Sequence, residues 1–395
     1  MTTDKLTLAA GPSRLHALDA VRAGALLLGV VLHATMSFFP GPQVWLVKDT
    51  ASSPLLSAAF FAIHMLRMLT FFLIAGFVAR ASFQRLGSRT FFADRLRRIG
   101  IPLAAGWPML YAALMLAAGM PLAFGGVTLA AFPLMHLWFL YLLLGFYVAL
   151  AVLHAVVRRV PGSAALGDRI AQLLLQPWTV VLLAAPACAA LYLQPYWVMW
   201  FGVPTPDTSL LPNRPALVAY GLAFAFGWLV QVRPDALATW ARRWPAHLAV
   251  ALACTVFCLW KAGITPLLMP VPQGTTKLLF AAAYSLGAWC WALGLVGAAQ
   301  RFLDRPHAAR RYLADASYWI YLVHLPLVIA LQKFVAPLAW PWPVKFVAIL
   351  VAAFAVMLAT YALFVRRTFV GAVLNGRRKS IQPSFSENPS CAHSS

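Results

Sequence analysis

Long apolar runs alternate with short connections that are rich in arginine or in glycine and proline. Runs of bilayer length fall at about 18–39, 56–80, 100–119, 133–157, 175–194, 214–232, 245–262, 276–299, 316–336 and 341–365. Each is long enough to carry a helix across a hydrocarbon core of about 30 Å. The pattern predicts an all-α polytopic membrane protein of about ten transmembrane helices, with a single domain over 1–379. The stretch 380–395, rich in Ser and Pro, is expected to be a disordered tail. No internal repeat is evident.

Composition agrees, because 62% hydrophobic and 10% charged residues exclude a water-soluble globule. The net charge of +21 does not point to nucleic acid. Its basic residues sit between apolar runs rather than in one patch, and most fall in alternate connections: Arg80 to Arg98, Arg158 to Arg169, Arg233 to Arg243, Arg301 to Arg311 and Arg366 to Lys379. The positive-inside rule then predicts both termini in the cytoplasm. The first run is long and ends in Phe38-Phe39-Pro40, so it reads as a span and not as a cleaved signal peptide. The five cysteines lack zinc-site spacing. Neither a metal site nor a disulfide is expected.

The polar residues inside the apolar runs carry the candidate chemistry, since ionisable groups in a bilayer are costly. Arg22 and His33 share the first run. Eleven residues are about three helical turns, so the two lie near one face about 16 Å apart. Arg22 is near enough to the helix end to snorkel, whereas His33 is not. In the second run His64 and Arg67 are one turn apart on the outer half, and they are expected to meet His33 there. Gly76 reads as a point of close helix approach. The fourth run opens at His136-Leu137-Trp138. In the ninth, Ser317, Tyr321 and His324 form a polar stripe, and Pro326 stands as a candidate break. Trp138 and Tyr318 read as interfacial belt aromatics. The segment Phe91 to Pro102, with Arg95, Arg97 and Arg98, suits either a cytoplasmic loop or a grip on phosphate.

Four pieces, taken in order, resemble the membrane-bound acyltransferase family 3. They are Leu18-Asp19-x-x-Arg22 with His33; Phe71-Phe72-x-x-x-Gly76-Phe77 followed by Arg95-x-x-Arg98-x-x-x-Pro102; His136-Leu137-Trp138-Phe139-Leu140; and Tyr318-x-x-Tyr321-Leu322-x-His324. Ile63 to Met68, and Leu28-Gly29 ahead of His33, are similar to the branch that succinylates glucans. The resemblance implies an integral protein of the bacterial inner membrane that moves an acetyl or succinyl group from cytoplasmic acyl-CoA to a carbohydrate hydroxyl. Acyl-CoA is then a co-substrate, with no permanently bound cofactor. Carried over by position, His33 is catalytic with Arg22 in the same motif, and Arg95 and Arg98 meet the nucleotide end of the donor. His64, Arg67, His136, Tyr321 and His324 are expected to contact the acceptor or the acyl group. Two departures stand out: Ala75 occupies the place of a usual serine, and no glutamate precedes Glu387. A secondary transporter for an anionic solute is the competing reading. A lipid-linked glycosyltransferase would want more outer-loop carboxylates than Asp49 and Asp207.

Overall fold

The computed structural model describes residues 16–122, 127–157, 159–173, 175–233 and 235–376. The expected tail 380–395 lies outside them, as do Lys5, Arg14, Arg158, Arg377, Arg378 and Lys379. The regular structure among the described residues is all helical: α1 (His16–Thr35), α2 (Pro54–Leu86), α3 (Ser88–Arg95), α4 (Ile101–Ala118), α5 (Trp138–Val157), α6 (Ser163–Leu173), α7 (Thr179–Tyr192), α8 (Arg214–Val230), α9 (Asp235–Ala262), α10 (Thr275–Phe302), α11 (Ala308–Val335), α12 (Trp342–Thr360) and α13 (Phe369–Asn375).

Eight helical stretches are long and apolar enough to cross a membrane, and α7 and α8 are shorter apolar helices. At 14 and 17 residues these two span about 21 and 25 Å, short of a full hydrocarbon core. The apolar run at 175–194 is longer than α7 because it includes turns at both ends. The two still join opposite ends of the bundle. Thr179 shares a small cleft with Trp240 and Arg243 at one end, and just past α7 the Gln194 carbonyl accepts Lys277 Nζ at the other. The arginine-rich segment enters the bilayer through α3 and one π-helical turn at Leu96–Gly100.

The start of α1 meets the start of α11 in a cleft shared by Asp19 and Arg311. Asn375 donates to the Asp315 carbonyl, and Gly376 packs against the Arg98 guanidinium. Both ends of the described chain therefore lie at one end of the bundle, here termed the terminal face, with the loop face opposite. The most extensive helix pairings are α9 with α10, α2 with α8, and α1 with α11. A Cβ at Gly76 would strike the Phe224 carbonyl, and one at Gly227 the Leu73 carbonyl. Paired glycines thus let the α2 and α8 backbones touch, as small residues do in membrane crossings.

Lysine prevails over arginine at the loop face, where Arg214 opens α8. Every described lysine lies at the loop face, where each is engaged. Lys48 donates to the Phe39 and Gly41 carbonyls and Lys333 to Ala118 at the end of α4, while Lys261 lies over the Trp260 ring. Lys345 Nζ donates to Asp49 Oδ1 at 2.8 Å and to the Ala336 carbonyl at 2.9 Å. Lys333 and Lys345 thus satisfy carbonyls that the ends of α4 and α11 leave free. The Asp49–Lys345 pair is fully buried, at 2% and 0% exposure, and ties the loop 36–53 to the start of α12.

Candidate active site

A cavity of about 690 Å³ opens among the connections of the loop face and runs down between α1, α2, α5 and α11. Its lining brings together His33, His64, Arg67, His136, Tyr321 and His324. The expected meeting of His33 with His64 and Arg67 is therefore seen, and residues from the fourth and ninth runs join them. Trp138 also lines the cavity and is buried. Tyr318 reaches inward to donate to the Arg98 carbonyl at 2.8 Å. Neither is a lipid-facing belt residue. Ser317 is buried and bonds back to the Ala314 carbonyl, so the polar stripe contributes only Tyr321 and His324.

His33 sits two residues before the end of α1, in the last turn. Its ring contacts Trp45, stacked at 5.4 Å and 19°, and His324, tilted at 5.2 Å and 37°. His324 is 5.0 Å from His136. Hydrogen bonds to carbonyls fix two tautomers. His324 Nδ1 lies 2.6 Å from the Tyr321 carbonyl and must carry the proton, leaving Nε2 as an acceptor. His136 Nε2 likewise donates to the Leu322 carbonyl at 2.9 Å, leaving Nδ1 as an acceptor. Pro326 explains why Leu322 is free to accept. Lacking an N–H, it cannot close the bond to the carbonyl four residues back, and α11 passes through it without breaking.

His136 follows Met135, whose φ of +52° makes it the sole positive-φ residue other than glycine among the described residues. The Met135 N–H donates to the Asp207 carbonyl at 2.8 Å, and the His136 carbonyl accepts the Tyr321 hydroxyl at 2.6 Å. Asp207 also lines the cavity, as do Thr205 and Thr208. Burial raises the Asp207 carboxyl above its ordinary range, only partly offset by hydrogen bonds from its own backbone and from Thr205.

Arg67 has room because α1 carries Gly29 one turn before His33. A Cβ there would overlap Arg67 Nη1 and would lie 3.8 Å from His324 Nε2. Four buried polar atoms of this cluster have no hydrogen-bond partner among the described residues: His33 Nδ1, Arg67 Nε, His136 Nδ1 and His324 Nε2. Such atoms are rare in folded proteins and call for a ligand or a chemical role. Here a charged donor and three imidazole nitrogens surround one space. His64 is held by a 3.3 Å contact from Nδ1 to the Tyr284 hydroxyl and by stacking on Phe60.

Arg22, Arg95 and Arg98 are not part of this lining. Arg22 pairs with Asp19 at 3.3 Å, about eleven residues of helix below His33, or roughly 16 Å. Asp94 holds Arg98 at 2.8 Å and Arg95 at 3.6 Å, and Arg95 lies over the Phe91 and Tyr147 rings. Tyr321, at the cavity, and Tyr318, bonded to Arg98, are tilted rings 6.4 Å apart. Together they form the layer between cavity and arginine segment. No His, Cys, Asp or Glu cluster suited to a metal occurs among the described residues.

Trp45, Gln332 and Asp207 were not singled out from sequence. Gln332 alone had a legible signal: it is a lone amide in an apolar run, eight residues beyond His324 and thus near the same helical face.

The acyltransferase 3 family, described as an acyltransferase domain, matches residues 15–362. Glucans biosynthesis protein C of Escherichia coli is 32% identical over 97 residues, covering 25% of this chain and 25% of that protein. The protein of the same name from Salmonella typhi is 29% identical over 141 residues, covering 33% and 36%. The chain thus spans a quarter to about a third of the length of these curated relatives. No solved structure matches.

Proposed function

The chain belongs to the acyltransferase 3 family, and from that premise we propose that it is an integral-membrane O-acyltransferase acting on a carbohydrate hydroxyl, with acyl-CoA as donor. The observation that carries the reading is the ring of unpartnered nitrogen atoms around one cavity. Acyl transfer needs a base for the attacking hydroxyl and a donor for the developing oxyanion, and this cluster supplies both.

A neutral imidazole at His33 takes the proton of the sugar hydroxyl as its oxygen attacks the thioester carbonyl. The tetrahedral oxyanion forms against the Arg67 guanidinium. Collapse breaks the carbon–sulfur bond, and the leaving thiolate receives the proton from His33. His136 Nδ1 and His324 Nε2, locked as acceptors, bind other hydroxyls of the same sugar. Arg67 also suits a terminal carboxylate, should the acyl group be succinyl rather than acetyl. Glucans, after which the relatives are named, fit as acceptors.

The arginine bias supports a cytoplasmic terminal face, and in a bacterial inner membrane the cavity would then open outward. Arg95 and Arg98, with Arg22 on the same face, then hold the anionic end of acyl-CoA. The thin pantetheine arm passes the Tyr318–Tyr321 layer to reach His33. A transporter has less support, since α11 is unbroken at Pro326.

The test supplies purified protein with labelled acetyl-CoA or succinyl-CoA and a glucan. Label is expected on the sugar, and His33→Ala is expected to abolish transfer while the protein stays inserted and folded. Undiminished transfer by that variant overturns the role of His33. Uptake of a solute without modification would favour a carrier.

A further inference from the structure

We infer that Trp45 and Gln332 form a mount that sets the orientation of the His33 imidazole, and that both are positioning residues for acyl transfer. The inference rests on the acyl-transfer reading of this cavity.

Hydrogen bonding fixes the rings of His136 and His324, because each gives one N–H to a backbone carbonyl. His33 has no such anchor. Its Nδ1 is buried without a partner, so its ring angle is set by what lies on its faces. Trp45 is stacked nearly parallel to it, and His324 packs against it at a tilt.

Trp45 comes from the connection between α1 and α2, and a loop aromatic orients a ring only if it is itself held. Gln332 holds it. The Trp45 indole N–H donates to Gln332 Oε1 at 2.9 Å. Gln332 Nε2 in turn donates to the His33 carbonyl at 2.9 Å and to the Ala34 carbonyl at 3.3 Å. These carbonyls lie in the last turn of α1, where helix geometry leaves them free. One buried amide therefore fixes both the backbone of His33 and the plane stacked on its ring. The Asp49–Lys345 pair and Lys48 bind the rest of the loop. A base must be placed closely, since a displacement of about 1 Å can cost about 10²-fold in rate.

The test measures transfer kinetics for Trp45→Ala, Trp45→Phe, Gln332→Leu and the double variant Trp45→Phe/Gln332→Leu. The rate at which diethylpyrocarbonate modifies His33, read by peptide mass spectrometry without substrates, is measured in parallel. Trp45→Ala and Gln332→Leu are expected to lower kcat by about 10- to 10²-fold with donor KM within about twofold. Trp45→Phe keeps an aromatic face and should retain more activity than Trp45→Ala. The double variant should be no worse than the poorer single, since the two act through one contact. His33 should be modified several-fold faster in Trp45→Ala, about the change expected when one ring face is uncovered. A kcat within about twofold of wild type in both Trp45→Ala and Gln332→Leu overturns the mount. Should wild type show no transfer at all, the acyl-transfer reading fails instead, and an unchanged modification rate then overturns the mount by itself.

Discussion

Replacing Gly29 by alanine separates the fold from the chemistry, because the two effects have opposite signs. The added Cβ overlaps Arg67 Nη1, the far end of a flexible side chain, and its three nearest neighbours outside α1 are all side-chain atoms. Restoring ordinary carbon–nitrogen contact requires the guanidinium to move by about 1 Å. The helix itself gains, since alanine in a helix interior is favoured over glycine by about 1 kcal/mol. Thermal stability in detergent should therefore be unchanged or slightly higher. Transfer should fall by about 10²-fold, or about 2.7 kcal/mol of transition-state stabilisation, because the oxyanion donor has left its place. The assay is kcat for labelled acyl transfer to glucan beside a melting curve on the same preparation. Wild-type kcat in a stably folded Gly29→Ala protein would refute the argument that Arg67, seated against α1, serves the reaction.

Two further outcomes concern the loop face. Lys345→Met leaves Asp49 charged and buried, and should destabilise by about 3–5 kcal/mol; adding Asp49→Asn should recover much of that loss in melting experiments, whereas additive losses would count against the pair. Asp207 has its carboxyl raised above the unfolded value of 3.8. The native state thus binds the proton more readily, and the associated stability is present below pH 3.8 and lost as pH rises through the raised value. Asp207→Asn should remove that segment of pH dependence from the melting temperature, and an unaltered profile would show that this carboxyl does not cause it.

Apolar period and length disclosed most of the architecture, because a bilayer leaves helices little alternative. The exceptions were α7 and α8, whose runs of hydropathy continue through turns that no periodicity marks. The meeting of His33, His64 and Arg67 was legible too, since antiparallel neighbours with polar groups in the same half must juxtapose them. What escaped depends on backbone detail. That Trp138 faces inward follows from helix rotation, which hydropathy does not report. Pro326 stands in the sequence as a candidate break, whereas α11 runs through it and its effect is to release the Leu322 carbonyl for His136. Lysines at the loop face look like noise against the arginine bias until their carbonyl partners are seen. Arg22, coupled to His33 by motif, lies too far along α1 to share its cavity.

The strained turn at Met135 also bears on how the enzyme comes into being. His136 acquires its posture only when residue 207 docks behind it and residue 322 arrives beside it, and His33 is squared up only by residue 332. On the ribosome these pieces emerge long after the histidines they serve. Threading of the early helices therefore precedes completion of the cavity, which matures as the closing pair of helices slots home.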